Sequence, residues 1–483
     1  MLPDFSQKLK NYVESFNARD EEIFPQAVSN ARACGFLAAQ TPLLDCPDEE
    51  IEKTYYFRWW TLRKHWKETP HGHILSEFLP PVPWAGPYNS INCPAGHHVR
   101  EGRWLRDGRW MKEYISFWLD GHGDALSYSM WFASAVEAYL NLHPDDAFAA
   151  ECLPKLVLLF EKREEKSLHA CGLYWSNDGR DGMECSISGS GIRPTLNSYM
   201  YGDACAIAHL ARRLGDESTS ARFEQKAAQI KQKMDDLLWD GDFYRVIPCE
   251  KDGPLPSQRP QEHCVRELLG YTPWYFMMPD ADKDAAFAQL TDKEGFSAPF
   301  GLTTAEQRHP RFLFEHEHEC LWNGYVWPFA TAQTLTAVAN ALHAGRKLPL
   351  DKNDYFRMLK TYARSHVLKT EQGEELPWID EVMHPFTGEW SARRLLMEDH
   401  WNPKRGGYER GKDYNHSTFC DLVLSGLLGI ERKNGRLYAE PLIPEEWDYF
   451  CVTGITEENW TVLYDRTGER YGMGRGLQIF RQS

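Results

Sequence analysis

The stretch Trp327-Pro-Phe-Ala-Thr-Ala-Gln-Thr-Leu-Thr-Ala-Val-Ala-Asn-Ala-Leu342-His-Ala-Gly345 sets the reading of the whole chain. Trp327, Thr331, Leu335, Val338 and Leu342 recur at steps of three and four, which places them on one face of an α-helix. Gly345 closes the run where a helix C-terminus favours glycine. The pattern repeats upstream. Met130, Ala133, Val136 and Leu140 continue a run from Leu126, and Met200, Ala204, Ile207 and Leu210 mark a helix closed by Gly215. Phe223, Ala227, Ile230, Met234 and Leu237 mark another, stopped at Asp240-Gly-Asp. Weaker helical patterns cover residues 50–66, 108–119, 150–167, 282–290, 351–368 and 416–428. Helices in this number, with no crisp repeat, suit two concentric rings in which each buries its apolar stripe against the next.

From Gly435 the texture changes. Segments such as Arg436-Leu-Tyr-Ala and Trp460-Thr-Val-Leu-Tyr gather β-formers between turns like Arg466-Thr-Gly. The expected organisation is a helical unit over residues 1–434 and a small β-rich segment over 435–483 packed on it, too short for independent stability.

Composition narrows the function classes. The 483 residues are 42% hydrophobic and 26% charged, ordinary for a chain with a substantial core. Lys and Arg total 54 against 70 Asp and Glu, a net charge of −16 that disfavours non-specific binding to nucleic acid or anionic membrane. No apolar run approaches the roughly 20 residues of a membrane span. No secretory signal is visible in Met1-Leu-Pro-Asp-Phe-Ser, so the expected compartment is the cytoplasm. The twelve cysteines, scattered from Cys34 to Cys451 without a C-x-x-C pair, read as free thiols in a reducing compartment. Oligomeric state leaves no mark in the sequence. The 18 Trp, 22 Tyr and 24 Phe fit either a large aromatic core or faces that stack on sugars.

Two loops carry the acids. Asn177-Asp-Gly-Arg-Asp-Gly-Met-Glu-Cys-Ser holds Asp178, Asp181 and Glu184 among glycines just before a helix. Trp378-Ile-Asp-Glu-Val-Met-His-Pro-Phe-Thr-Gly sets Asp380 and Glu381 in a loop bounded by Pro and Gly. The plainer reading of each is a solvated acidic turn. About 200 residues separate them, so they meet only in a fold that closes on itself.

Taken in order, these blocks resemble the glycoside hydrolase clan of trehalases, family 63 glucosidases and mannosylglycerate or glucosylglycerate hydrolases. In that clan the general acid is the Asp of a Gly-x-Asp-x-Ser segment. Gly182-Met183-Glu184-Cys185-Ser186 is similar, with Glu in place of Asp. The general base is a Glu opening Glu-x-(Tyr/Phe)-Asn-Pro-x-(Thr/Asp)-Gly, and Glu381-Val-Met-His384-Pro385-Phe-Thr387-Gly388 is similar. Between them, Leu321-Trp322-Asn323-Gly324-Tyr325-Val326-Trp327-Pro328 resembles the clan's Trp-Arg-Gly-x-x-Trp stretch. The resemblance spans roughly residues 50–430. It implies an (α/α)6 barrel of the six-hairpin glycosidase kind and inverting hydrolysis of a small, α-linked glycoside or oligosaccharide. Glu184 would be the acid, with Asp181 as the alternative, and Glu381 the base. Inverting pairs stand about 6.5–9.5 Å apart, leaving room for water. Glu398 and Asp399 form a rival base motif that lacks the Thr-Gly continuation.

Trp322, Trp327 and Trp378 are candidate walls for a sugar, with Asn323 and His416 beside them. Arg193 is a candidate for the arginine that the clan places nearer the acid. Trp84, Asn89 and His97, in the Pro- and Gly-rich run from Glu77 to Glu101 that reads as a loop, are further candidate sugar contacts.

No metal or other cofactor is expected, since no H-E-x-x-H helix is present. The run Glu315-His-Glu-His-Glu-Cys320 would present His316 and His318 on one side of a strand. Two alternatives stand beside hydrolysis. A sugar epimerase on the same barrel would draw on His316, His318, His384 and His416. A carbohydrate-binding protein without catalysis is the other, because Glu184 departs from the clan's Asp.

Overall fold

The computed structural model describes residues 5–314, 318–399, 402–407 and 409–482. His316 of the histidine pair therefore lies outside the described residues. The α-helices, in chain order, are α1 (Ser6–Asn17), α2 (Asn30–Gln40), α3 (Glu49–Leu62), α4 (Ala95–Gly102), α5 (Arg109–Leu119), α6 (Phe132–Leu142) and α7 (Asp146–Ser167). They continue with α8 (Pro194–Arg213), α9 (Glu217–Leu237), α10 (Thr272–Tyr275), α11 (Pro328–His343), α12 (Lys352–Arg364) and α13 (Ser391–Glu398). The protein is thus mainly helical, with small sheets between and beyond the helices.

Local chemistry sets the helix ends. Asp48, Asp145, Asp216 and Asp351 cap α3, α7, α9 and α12 by accepting from first-turn N–H groups. Pro194 and Pro328 occupy the first turns of α8 and α11, where a missing N–H costs nothing. Gly215 and Gly345, past the ends of those helices, take φ of +79° and +70°.

Burial sorts the helices into two groups. Nearly every residue of α11 is buried, and α8 is buried over most of its length. By contrast α9 and α12 bury a single stripe, Phe223, Ala227, Ile230 and Met234 in one, Tyr355, Phe356, Leu359, Tyr362 and Ala363 in the other. The buried helices pack in sequence, α4 on α6, α6 on α8, α8 on α10, α10 on α11, and α11 on a π-helical turn, Leu422–Leu427. That turn returns to α4 through Glu101. Its carboxylate accepts from the N–H groups of Phe419 (3.0 Å), Cys420 (2.9 Å) and Asp421 (2.7 Å), while Arg103 pairs with Asp421 at 2.6 Å. The circuit is closed. Outside it, α7 and α9 pack on α8, and α3 packs on α12.

Several expectations need correction. Residues 95–102, read as loop, form α4, whose histidines and glycines hide its periodicity. Residues 282–290 lie in a 3-10 run, Ala281–Leu290. The pattern expected over 351–368 stops at Arg364, and strand Val367–Lys369 follows. The pattern over 416–428 becomes the π-helical turn. Residues 318–320, expected in a strand, are not in one.

At the chain's end, Tyr449–Ile455, Trp460–Asp465 and Gly476–Arg481 form an antiparallel sheet. Its first strand pairs with Leu43–Asp45 from the other end of the sequence, Leu44 opposite Val452. A separate hairpin, Ile430–Lys433 with Arg436–Ala439, runs across position 434.

Glu101→Ala strands three N–H groups at once, each costing roughly 1–3 kcal/mol when buried without a partner. We expect a loss of about 3 kcal/mol or more in urea denaturation. An unchanged midpoint would show that the circuit does not depend on this closure.

Candidate active site

A cavity of about 190 Å³ opens where chain segments feed the N-terminal ends of the closed circuit. Glu77, Trp84 and Cys93 precede α4, Tyr128 precedes α6, and Glu184 precedes α8. Trp322 and Trp327 precede α11, while Arg410, Tyr414 and His416 precede the π-helical turn. Glu381 enters from the loop after strand Glu375–Pro377. The two acid-bearing loops of the sequence do therefore meet.

The Glu184 loop is held in an unusual backbone conformation. Cys185, with φ of +64°, lies in the left-handed region that non-glycine residues seldom occupy. Gly182 also has positive φ, and a Cβ there would approach Cys93 Sγ to 2.7 Å. The Glu184 carbonyl accepts from the Trp322 N–H at 3.1 Å, tying this loop to the tryptophan loop. Trp322 and Trp327 stack with ring centres 4.6 Å apart and planes 20° from parallel.

Glu381 is anchored differently. Its Oε2 accepts from Arg410 Nη2 at 2.6 Å and Nε at 3.2 Å. Arg410 Nη1 donates to Glu319 Oε1 at 2.8 Å, and the guanidinium lies 5.2 Å from the centre of the Trp84 ring. Arg405 Nη1 reaches the other Glu319 oxygen at 3.1 Å. Next to Arg410, Gly411 is required by space, because a Cβ there would collide with Asp380 Oδ1.

Burial dominates the electrostatics. It pushes Glu184 up to about 7, with the charges of Glu381 and Asp178 adding to the rise. Glu381 is likewise pushed up to about 7 by burial, against the opposing pull of Arg410. Glu77 rises to about 8, by burial first and then by the charges of Glu381 and Glu184. Glu319, close to Arg410, is lowered although burial opposes it. His416 is buried and its pKa falls well below the usual value, so its ring is neutral.

Of the residues singled out in the sequence, Glu184, Glu381, Trp84, Trp322, Trp327 and His416 line this cavity. The others do not. Asp181 is fully buried against Arg193, whose Nε donates to its Oδ2 at 2.6 Å. It also accepts from Ser129 (2.5 Å), Ser176 (2.6 Å) and Thr195. Asp181 and Arg193 are therefore a sealed structural pair. Asn89 clamps its own loop, accepting from the Val82 N–H and donating to the Phe78 and Pro80 carbonyls. His97 lies behind the wall, edge-on to Trp131 and Phe329. Asn323 donates to the Phe314 carbonyl at 2.6 Å. Trp378 faces away, packed against Arg393 and Lys412. Among the named histidines, His318 lines the cavity with His416, whereas His384 does not. Glu398 and Asp399 sit at the end of α13, away from it.

The sequence reading missed Glu77, Tyr128, Glu319, Arg410 and Tyr414 as members of one site. Only Glu77 and Glu319 sat inside stretches already singled out.

Residues 87–417 match the family described as "Mannosylglycerate hydrolase MGH1-like glycoside hydrolase domain". The chain belongs to this family. As a member of the MGH1-like glycoside hydrolases it is also similar to a solved "Sialidase", with 36% identity and a TM-score of 0.88, covering 99% of this chain and 43% of that one. A "Cyclic beta-(1,2)-glucan synthase NdvB" of Rhizobium meliloti (strain 1021) is 25% identical over 321 residues, 62% of this chain and 10% of the synthase. The chain thus spans less than half of that sialidase and a tenth of that synthase. The fold is shared with a GH63 mannosylglycerate hydrolase from Thermus thermophilus solved with glucose, at 13% identity and a TM-score of 0.50, covering 67% of this chain and 95% of that one. Among the described residues no helix is long and apolar enough to cross a membrane, and no group of three metal-ligating side chains occurs.

Asp181→Asn leaves Arg193 buried without its counter-charge, a loss of about 3–5 kcal/mol. Calorimetric melting should show a large fall in Tm for Asp181→Asn and little change for Glu184→Gln. Equal melting of both variants would contradict a structural role for Asp181.

Proposed function

We propose that this MGH1-like domain hydrolyses a small glycoside with inversion, using Glu184 as general acid and Glu381 as general base. The observation that carries the reading is the unequal anchoring of two carboxyls that face one cavity. Arg410 donates two hydrogen bonds to Glu381 and none to Glu184. When the pair holds a single proton, the charge therefore rests on Glu381 and the proton on Glu184. A protonated carboxyl beside the glycosidic oxygen can protonate the leaving group. A carboxylate across the ring can take a proton from the attacking water. The stacked Trp322 and Trp327 offer a flat apolar surface to the sugar, and the cavity's small volume suits one ring.

The closed circuit of buried helices, flanked by α3, α7, α9 and α12, supports an (α/α)6 barrel as the frame. We read residues 1–434 as its catalytic body and the segment from 435 as a small β-rich addition packed on it. The clan resemblance favours an α-linked, gluco- or manno-configured substrate.

Glu184→Gln and Glu381→Gln should each lower kcat by about 10²–10⁴-fold, the usual contribution of a positioned acid or base. Proton NMR of mixtures with α- and β-glycosides should show the inverted anomer first. Activity requires Glu381 ionised and Glu184 protonated, and both carboxyls are raised to about 7, so the profile should be a narrow bell that falls as pH drops below about 7, where Glu381 takes up a proton. It should fall again as pH rises past about 7, where Glu184 loses its proton. Retained configuration, or full turnover by both variants, would sink the assignment.

A further inference from the structure

The acid–base pair leaves a third carboxyl of the cavity without a task. Glu77 is buried, yet it lines the cavity. Tyr414, which lines the same cavity, donates its hydroxyl to Glu77 Oε1 at 2.5 Å. Among the described residues no donor is bonded to Oε2. The backbone on either side is pinned. The Glu77 carbonyl accepts from the Asn415 N–H at 3.1 Å, and the Ser76 carbonyl accepts from Asn415 Nδ2 at 3.1 Å. Ser76 Oγ donates to the Phe78 carbonyl at 2.8 Å. A carboxyl fixed this firmly, with one oxygen left to the cavity, is built to read a ligand group.

Charge in the cavity limits what that group can belong to. The described lining residues include four carboxyls, Glu77, Glu184, Glu319 and Glu381, and a single guanidinium, Arg410. Arg410 is already bonded to two of the four. Arg405 is bonded to Glu319, and the His318 imidazole, which also lines the cavity, lies close enough to Glu319 to act on its charge. The His416 ring is neutral. A carboxylate or phosphate on the bound sugar would be one more buried anion with no unpaired arginine or lysine among these residues to receive it.

We propose that Glu77, oriented by Tyr414, is the glycone-reading residue of the cavity, hydrogen-bonding one sugar hydroxyl, and that the glycone it selects is uncharged. Burial and the neighbouring carboxylates raise its pKa to about 8, so near neutral pH it is protonated and can donate as well as accept. The proposal rests on the cavity being the glycone site of a hydrolase.

Two measurements separate that premise from the role of Glu77. In the first, kcat/KM is compared for wild type, Glu77→Met and Tyr414→Phe on a neutral glycoside that the wild type hydrolyses, and on its monodeoxy series. Loss of one hydroxyl should cost the wild type at least about 10²-fold, as expected where a site hydrogen-bonds a substrate hydroxyl. The same deoxy substrate should cost Glu77→Met, which can neither donate nor accept there, at least tenfold less, with the penalties at other positions unchanged. Tyr414→Phe should move the same position in the same direction. A uniform loss across the series would mean that Glu77 only supports the fold, and no change in any penalty would equally overturn the proposal. In the second, calorimetry titrates wild type and Glu77→Met with free glucose, mannose and galactose and with the matching uronic acids, without need of turnover. Neutral sugars should bind the wild type at least tenfold more tightly than uronic acids, and Glu77→Met should narrow the gap by weakening the neutral sugars. Uronic acids that bind equally or better, or no sugar binding at all, would overturn the proposal. Sugar binding without hydrolysis of any glycoside would instead remove the hydrolase reading and leave Glu77 as a recognition residue.

Discussion

The guanidinium of Arg410 holds the site together because it is shared. It donates to Glu381 and to Glu319, lies over Trp84, and passes 3.5 Å from Cys320 Sγ. These partners come from separate stretches of chain, so one buried charge joins several loops. Buried ion pairs add little net stability compared with apolar packing, while removal of one partner is expensive. Arg410 therefore acts mainly as a constraint, fixing where Glu381 stands and opposing the rise that burial imposes on its pKa. Around it Glu77 and Glu184 are drawn toward neutrality by burial while Glu319 is held toward its charged form, which separates their chemical characters without any difference in residue type.

The frame that delivers these loops was legible in the sequence to an unequal degree. The helices α8, α9 and α11 announce themselves through three-and-four spacing and terminal glycines, because each repeats a full apolar face over several turns. Short α4 does not, since Gly96, His97, His98 and Gly102 are poor signals of periodicity even when buried. Its role is set by tertiary closure through Glu101, which no local pattern encodes. Likewise, the pairing of Leu43–Asp45 with Tyr449–Ile455 depends on partners some four hundred residues apart.

At the site, motif order singled out Glu184 and Glu381, and both reach the cavity. Residue type alone then led astray. Arg193, Asp181 and Asn89 are polar groups in acid- or glycine-rich loops, as functional residues are, but their hydrogen bonds all turn inward. The same composition serves a loop that binds and a loop that is merely sealed. Arg410 and Tyr414 had no motif to mark them. Their importance comes from position, in the segment entering the last member of the circuit, which becomes visible only when the circuit closes.

The sheet at the chain's end bears on how the molecule assembles during synthesis. Contacts such as α8 with α9 join neighbours in sequence and can form soon after their residues emerge. Strand Leu43–Asp45 cannot. Asp45 accepts from Lys8 at 2.5 Å, near the start of the chain, and from the Tyr471 hydroxyl at 2.7 Å. This edge must wait unpaired until residues beyond 449 have been made. A nascent chain therefore carries an open strand edge and a half-built ion cluster until those residues have emerged. Exposed edges invite pairing with the wrong strand, so this interval is exposed to mispairing.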